Sequence, residues 1–403
     1  MIRFLTAGES HGKALVTIVE GFPSNIPISA GEINYQLKRR QGGYGRGTRM
    51  KIESDSVQIL SGIRFGKTLG SPISFLIENK DWVNWEKELS VQQNKESIKK
   101  ITIPRPGHAD LVGVSKYNFD DIRNSIERSS ARETAARLAA GSIARIFLEH
   151  FGIKIGSYVE SIGSIYSSKD YFNQLLKNKT LLLKSGLDMS AKADKSAVRV
   201  LDESQEKKII NKIKSVKKSG DTLGGTFVAI ATGVPVGLGS FMHFDRRLDA
   251  DIAFHLMSIN AVKGVEIGNG FESAEQYGSQ VHDDITIDGK NFSRKTNHSG
   301  GIEGGISNGL PILVRAAMKP ISTLAKPLNS IDLTTMKKVI SRYERSDFTA
   351  VPSCAVVAES MLAWVLAKHF LIKFGGDSLE ETEDNFSSFT KKSFDRIRKG
   401  FKK

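Results

Sequence analysis

Short stretches with a two-residue alternation, or a brief apolar run, open the chain. Arg3 to Thr6, Ala14 to Glu20, Val57 to Ser61 and Pro72 to Glu78 read as strands. The same pattern predicts strands at Lys154 to Ile165, at Leu223 to Ala231, from Val262 onward and at Pro311 to Met318. Helical spacing takes over elsewhere. It predicts helices at Ser29 to Arg40, after Ser130, at Glu203 to Lys218 and at Phe244 to Asn260, where Leu248, Ile252, His255, Leu256 and Ile259 share one face. A further helix is predicted at Leu333 to Arg342. Val351 to Phe374 is the longest apolar run, interrupted by Glu359, Lys368 and His369; it reads as a buried core helix and not a membrane span. Tyr166 to Lys195 is rich in lysine and serine with weak periodicity, so a peripheral excursion is expected there. Beyond Lys373 the chain is polar, and residues 373–403 are expected to form a mobile tail with at most a marginal helix.

Two helix starts carry capping boxes in sequence, Ser29 with Glu32 and Ser130 with Glu133. Around the second, Arg128, Arg132 and Arg137 put positive charge where the helix dipole is already positive. A bound anion would relieve that conflict, since free amides at a helix start favour one. Without a ligand the conflict predicts that Arg132 is mildly destabilising. Arginines pointing into water are the plain alternative.

Charge adds to this picture. The formal charge is +14, and the pI is about 9.6. Nucleic acid, a membrane surface or an acidic substrate could each balance it. Few aromatic platforms stand between the basic residues, so a nucleic-acid partner is not expected. The single Cys354 excludes an internal disulfide framework and fits a reducing, cytoplasmic setting. The N-terminus lacks an apolar stretch of signal-peptide length. The histidines have no metal-ligand spacing, and no metal site is expected. Length alone allows two or three domains.

The loops carry the candidate chemistry. GESHG (Gly8 to Gly12) places His11 at a turn between two strands. KRRQGGYGRGTRM interleaves Arg39, Arg40, Arg46 and Arg49 with glycines, as in a basic loop able to close over an anion; a plain flexible surface loop is the other reading. PRPGHAD puts His108 two residues from Asp110, a carboxylate able to orient it. NHSGGIEGGISNG (Asn297 to Gly309) would let a planar or phosphorylated ligand touch backbone. KPIST (Lys319 to Thr323) adds a lysine and two hydroxyls after a strand, and Arg345 and Asp347 precede the apolar helix.

Taken in order, these stretches resemble the chorismate synthase family. They are GESHG, EGFP, RRQGGYGR, PRPGHAD, ERSSARETAAR, DRRLDAD, SINAVKGVEIG, NHSGGIEGGISNG, KPIST and RSD, covering residues 1–372. The resemblance implies an α+β fold, a single-domain β-α-β sandwich assembled as a homotetramer. It implies a lyase that eliminates phosphate from 5-enolpyruvylshikimate 3-phosphate by an anti-1,4 path, giving chorismate with reduced FMN and no net redox change. By residue it implies His11 as the acid for the departing phosphate, His108 as the acid beside the reduced flavin and Asp347 as a base near flavin N5. Flavin contacts carry over to Arg128, Ser129, Ser130, Asn260, Ala261, Gly304, Lys319, Pro320, Ile321, Ser322, Thr323 and Arg345. Arg40, Arg46, Arg49 and Arg132 carry over to the substrate and NADPH end. The chain departs from the family in one place: Phe348 stands after Asp347, where proline is common.

Overall fold

The computed structural model describes residues 2–47, 54–93, 98–177, 188–289, 291–344 and 346–401. Two antiparallel sheets enclose a layer of helices. The first has strands Arg3–Ala7, Ala14–Glu20, Ile73–Glu78 and Val57–Ser61, adjacent in that order. The second is ordered Val262–Ile267, Ile312–Met318, Gly225–Thr232, Lys154–Ile162 and Ile165–Tyr166. Between them lie the helices Ala30–Gln41, Thr134–His150 and Val351–Phe374. This is the β-α-β sandwich that the family resemblance implied.

The helix Thr134–His150 packs against the first sheet, and Val351–Phe374 against the second. They touch each other closely because one is rich in alanine and glycine. A Cβ added at Gly141 would lie 2.5 Å from Ser360 Cβ and 2.5 Å from its carbonyl oxygen. The helix Val351–Phe374 has buried residues on every side, as an apolar helix without a polar face must. It has the length and composition of a membrane span, but 83% of its apolar window is buried inside the protein. It is a core helix. Its one buried acid, Glu359, is held by Arg39 (2.7 Å), Arg145 (2.8 Å) and Arg199 (3.2 Å), with Ser157 Oγ donating at 2.6 Å.

Most of the predicted elements are present, and five differ. The helix Ala30–Gln41 has the full Ser29–Glu32 capping box. The Ser130–Glu133 box does not form. Ser130 Oγ accepts from the Arg132 amide and caps a 3-10 turn, Ala131–Glu133, ahead of the helix. The Glu133 carboxylate is drawn away by Thr6 Oγ1 (2.7 Å) and Arg137 Nε (2.9 Å). Phe244–Arg246 is a 3-10 turn, so the helix there is the shorter Leu248–Met257. Leu333 to Arg342 is not helical. Asn329–Asp332 and Lys337–Ile340 form a hairpin, with Asp332 accepting from the Thr334 amide at 3.0 Å and Met336 left-handed at φ 56°.

The supposed tail is a helix, Leu379–Gly400, capped by Ser378. Its Phe386 and Phe389 stack edge-on against Phe374, and Phe386 also meets Phe151 and Phe370. Polar composition hid two aromatic anchors one turn apart. The lysine-rich excursion is also more than peripheral where it is described. Phe172, Leu175 and Leu176 of the helix Tyr171–Lys177 cover the outer face of the second sheet, packing with Tyr158, Val228, Ile230 and Leu313.

Candidate active site

Many of the candidate residues are tied to one another by hydrogen bonds and ion pairs between elements. The turn joining Arg3–Ala7 to Ala14–Glu20 holds His11. Gly8 makes that turn possible: its φ is 107°, and an added Cβ would fall 2.3 Å from the Ala14 carbonyl oxygen. The turn is fastened to the helix Ile122–Ser129. The Ser10 amide donates to the Glu127 carbonyl (3.1 Å), and the His11 amide to the Glu127 carboxylate (2.8 Å). His11 Nδ1 lies 3.0 and 3.1 Å from the two carboxylate oxygens. Burial alone would raise the Glu127 pKa, but the bonds from His11 outweigh it and hold the carboxyl below its usual range.

A second histidine is held in the same way. His108 Nδ1 meets Asp110 Oδ1 at 2.5 Å. Arg105 Nε reaches Asp110 Oδ2 (2.9 Å), and its Nη1 reaches Thr323 Oγ1 (3.0 Å) and Glu344 (3.0 Å). Desolvation pushes Asp110 up; His108 and Arg105 more than reverse it, so the carboxyl sits well below the usual range. Lys319 Nζ donates to the Gly107 carbonyl, and the Lys319 amide to Ala261 O (2.9 Å). Asn260 Nδ2 donates to Ser129 O (3.0 Å), and Arg128 Nη2 to Thr6 (2.9 Å). Thr222 Oγ1 donates to Ile321 O (2.7 Å). One chain of bonds thus links Arg128 and Ser129, Asn260 and Ala261, Lys319 to Thr323, and His108.

The arginines converge beside this. Arg40 and Arg132 flank one buried carboxylate, Asp55, at 3.3 and 2.5 Å. Arg132 Nε also donates to Asn79 Oδ1 (2.8 Å), and Arg40 donates to Thr134 Oγ1 (2.9 Å) and Ala131 O (3.1 Å). Burial and the two neighbouring guanidinium groups of Arg132 and Arg46 outweigh Asp55, lowering Arg40 to about 10. Arg46 pairs with Asp347 at 2.8 Å, and the Gly47 amide donates to the other Asp347 oxygen (2.5 Å). Phe348 takes part through its backbone. Its amide donates to Gly45 O (2.8 Å), a bond proline could not make, and its carbonyl accepts from Leu223 (2.8 Å).

Three expected residues are not joined to this network by any described contact. Arg49 and Arg345 lie outside the described residues. Gly304 forms the tight turn between Ile302–Glu303 and Ile306–Ser307, where it and Gly305 have φ 57° and 81°. That turn bonds to Leu248, at the start of the helix Leu248–Met257, while Asn260 lies beyond its end, about 15 Å along the axis. Arg132 is a buried ion-pair residue and not a charge in conflict with its helix; Asp55, its partner, carried no signal in the sequence. Glu127 and Arg105 were missed although both stand inside the motifs ERSSARET and PRPGHAD. Glu127 meets a histidine 116 residues away, for which no spacing rule exists, whereas Arg105 stands only three residues from His108 and was within reach of a local reading.

Two histidines, each on a buried carboxylate, beside a cluster of arginines describe an acid–base enzyme for a multiply anionic substrate. The comparisons with known proteins narrow that class. The profile of the chorismate synthase family matches residues 2–371. Chorismate synthase of Chlorobaculum tepidum is 53% identical over 392 residues, 96% of this chain and 98% of that one. That of Aquifex aeolicus is 51% identical over 96% and 97%. A crystal structure of chorismate synthase superposes with a TM-score of 0.78 at 44% identity, covering 98% of each chain. The chain belongs to the chorismate synthase family. It is a carbon–oxygen lyase of aromatic amino-acid biosynthesis, in a family that implies a reduced flavin.

Proposed function

We propose that this enzyme converts 5-enolpyruvylshikimate 3-phosphate to chorismate and phosphate, with reduced FMN present and unconsumed. The substrate carries two carboxylates and a phosphate, so its binding needs several cations in one place. The observation that carries the reading is the meeting of Arg40, Arg46 and Arg132 around the carboxylates of Asp55 and Asp347, on elements joined to those that hold His11 and His108.

In this reading His11 gives its proton to the phosphate as the C3–O bond breaks. Asp347 helps take up the C6 hydrogen, and the electron pair of that C–H bond becomes part of the new diene. His108, steadied by Asp110, holds a proton beside the flavin. Reduced FMN, when bound, supplies electron density that is returned at the end of the cycle. The residues present suit it. Asn260 Oδ1 is a buried acceptor without a partner among the described residues, which a flavin ring N–H would satisfy, and Ala261 beside it is left-handed at φ 68°. Ser129 and Lys319 are bonded through their backbones to Asn260 and Ala261, and Arg128, Ser130, the 320–323 segment and Arg345 are assigned to the same flavin by the family resemblance. Gly304 and the homotetramer belong to the same reading through the family resemblance. NADPH contact at the loop containing Arg40, Arg46 and Arg49 belongs to the same reading; its check is FMN reduction by NADPH with no added reductase.

The test is an anaerobic assay with reduced FMN. Phosphate and chorismate should form in equal amounts while the flavin stays reduced, and His11→Ala should lower turnover by ~10²–10⁴. Flavin oxidised in step with product would overturn the reading.

A further inference from the structure

We propose that Glu127 is the positioning residue of His11, fixing its tautomer so that Nε2 is the atom that exchanges the proton with substrate. The proposal rests on the reading of His11 as the acid. The carboxylate has only acceptor oxygens. Both face Nδ1, at 3.0 and 3.1 Å, so Nδ1 carries hydrogen both in the protonated ring that donates from Nε2 and in the neutral ring left afterwards. The same carboxylate takes the His11 backbone amide at 2.8 Å, and the carbonyl of Glu127 takes the Ser10 amide at 3.1 Å. One residue thus fixes the turn and the ring together. Its side chain is 2% exposed, so water does not compete for those bonds.

The surroundings hold the arrangement from the other sides. Trp85 lies against the imidazole, with ring centres 4.3 Å apart. Arg123 sits over the far part of that group, 4.8 Å from the Trp85 ring centre, and its Nη1 reaches Glu127 Oε1 at 3.3 Å. Arg123 adds to the His11 bonds that keep Glu127 ionised against its burial, and Trp85 limits ring rotation. Glu127 also belongs to the helix that ends in Arg128 and Ser129, so the acid and the proposed flavin contacts are set by one rigid element. An amide at position 127 would keep size and shape but has no charge to balance the doubly protonated ring that acts as the acid, and its N–H could donate to Nδ1, favouring a neutral ring without hydrogen on Nδ1, which cannot be the form left after Nε2 has given up its proton.

The experiment uses the full-length enzyme, reduced FMN and substrate, with 15N NMR of histidine-labelled protein. The chain has eight histidines, and the signal lost in His11→Ala assigns His11. Wild type should show the Nδ1–H form. Glu127→Gln should lose it, with kcat down by about 100-fold or more and KM nearly unchanged. Glu127→Asp keeps the carboxylate and should restore the tautomer and part of kcat. A Gln variant with wild-type tautomer and kcat would overturn the proposal. So would an Asp variant as slow as the Gln variant with the tautomer lost, since Glu127 would then be a steric support only. If His11→Ala turns over normally while Glu127→Gln still changes the tautomer, the reading of His11 as the acid has failed and the positioning contact has not.

Discussion

Replacing Arg132 by alanine removes a guanidinium that is 8% exposed and bonded on two sides. Its Nη1 lies 2.5 Å from Asp55 Oδ1, and its Nε donates to Asn79 Oδ1 at 2.8 Å. The sequence, read as a helix start with a misplaced charge, predicts that the ligand-free variant melts at the same temperature or slightly higher. The structure reverses that sign. Breaking a buried ion pair from one side costs about 3–5 kcal/mol, because the other charge stays buried. Here Asp55 keeps Arg40 at 3.3 Å, which argues for a cost at or just below the low end, roughly 2–3 kcal/mol. Unfolding entropy of about 2.1 cal/mol/K per residue gives roughly 0.8 kcal/mol/K for a chain of 403 residues, so Tm should fall by about 3 °C. Calorimetric melts of ligand-free wild type and Arg132→Ala at pH 7 measure it. Arg132→Lys should fall between the two, since lysine keeps the charge without the fork. A ligand-free Arg132→Ala protein that melts at or above wild type would refute the argument.

Three further outcomes are expected. Glu359, Asp110 and Asp251 are each pushed up by burial and pulled down further by arginine, histidine or lysine partners, so their folded pKa values lie below the unfolded ones. The stability they contribute is complete above the unfolded values near 4 and is lost as pH falls below them; calorimetric Tm should drop steeply below about pH 4.5, and a flat profile down to pH 3 would contradict it. Burial pushes the Cys354 thiol up to about 12, so a colorimetric thiol reagent should titrate one thiol only after denaturant is added, and rapid labelling of the native enzyme would count against the packing. Gly8→Ala cannot fit beside the Ala14 carbonyl without shifting the His11 turn; kcat should fall while the far-UV spectrum stays unchanged, and a fully active variant would show that the turn adapts.

Much of the site was present in the sequence as motifs, and all of its assembly was tertiary. Alternation along Ala14 to Glu20 and apolar spacing in Val351 to Phe374 specify strand and buried helix locally, because burial on one face or all round dictates residue type. Ser29 with Glu32 fixed its own cap, since both partners lie within one turn. Ser130 with Glu133 has the same spacing and fails, because Thr6 and Arg137 take the carboxylate. Arg137, four residues on, is a local competitor, but Thr6 lies 127 residues away and no local rule contains it. The Leu333 to Arg342 helix fails for a similar reason: apolar spacing over so short a stretch suits a hairpin as well. Phe386 and Phe389 gain their meaning only from Phe374 and Phe151, which the fold brings beside them. The catalytic candidates follow the same division. His11 and His108 could be picked out on their glycine turns, and Asp110 on its spacing. Glu127 and Asp55 act on groups 116 and 77 residues away, through bonds that exist only once two sheets have closed over the helices between them.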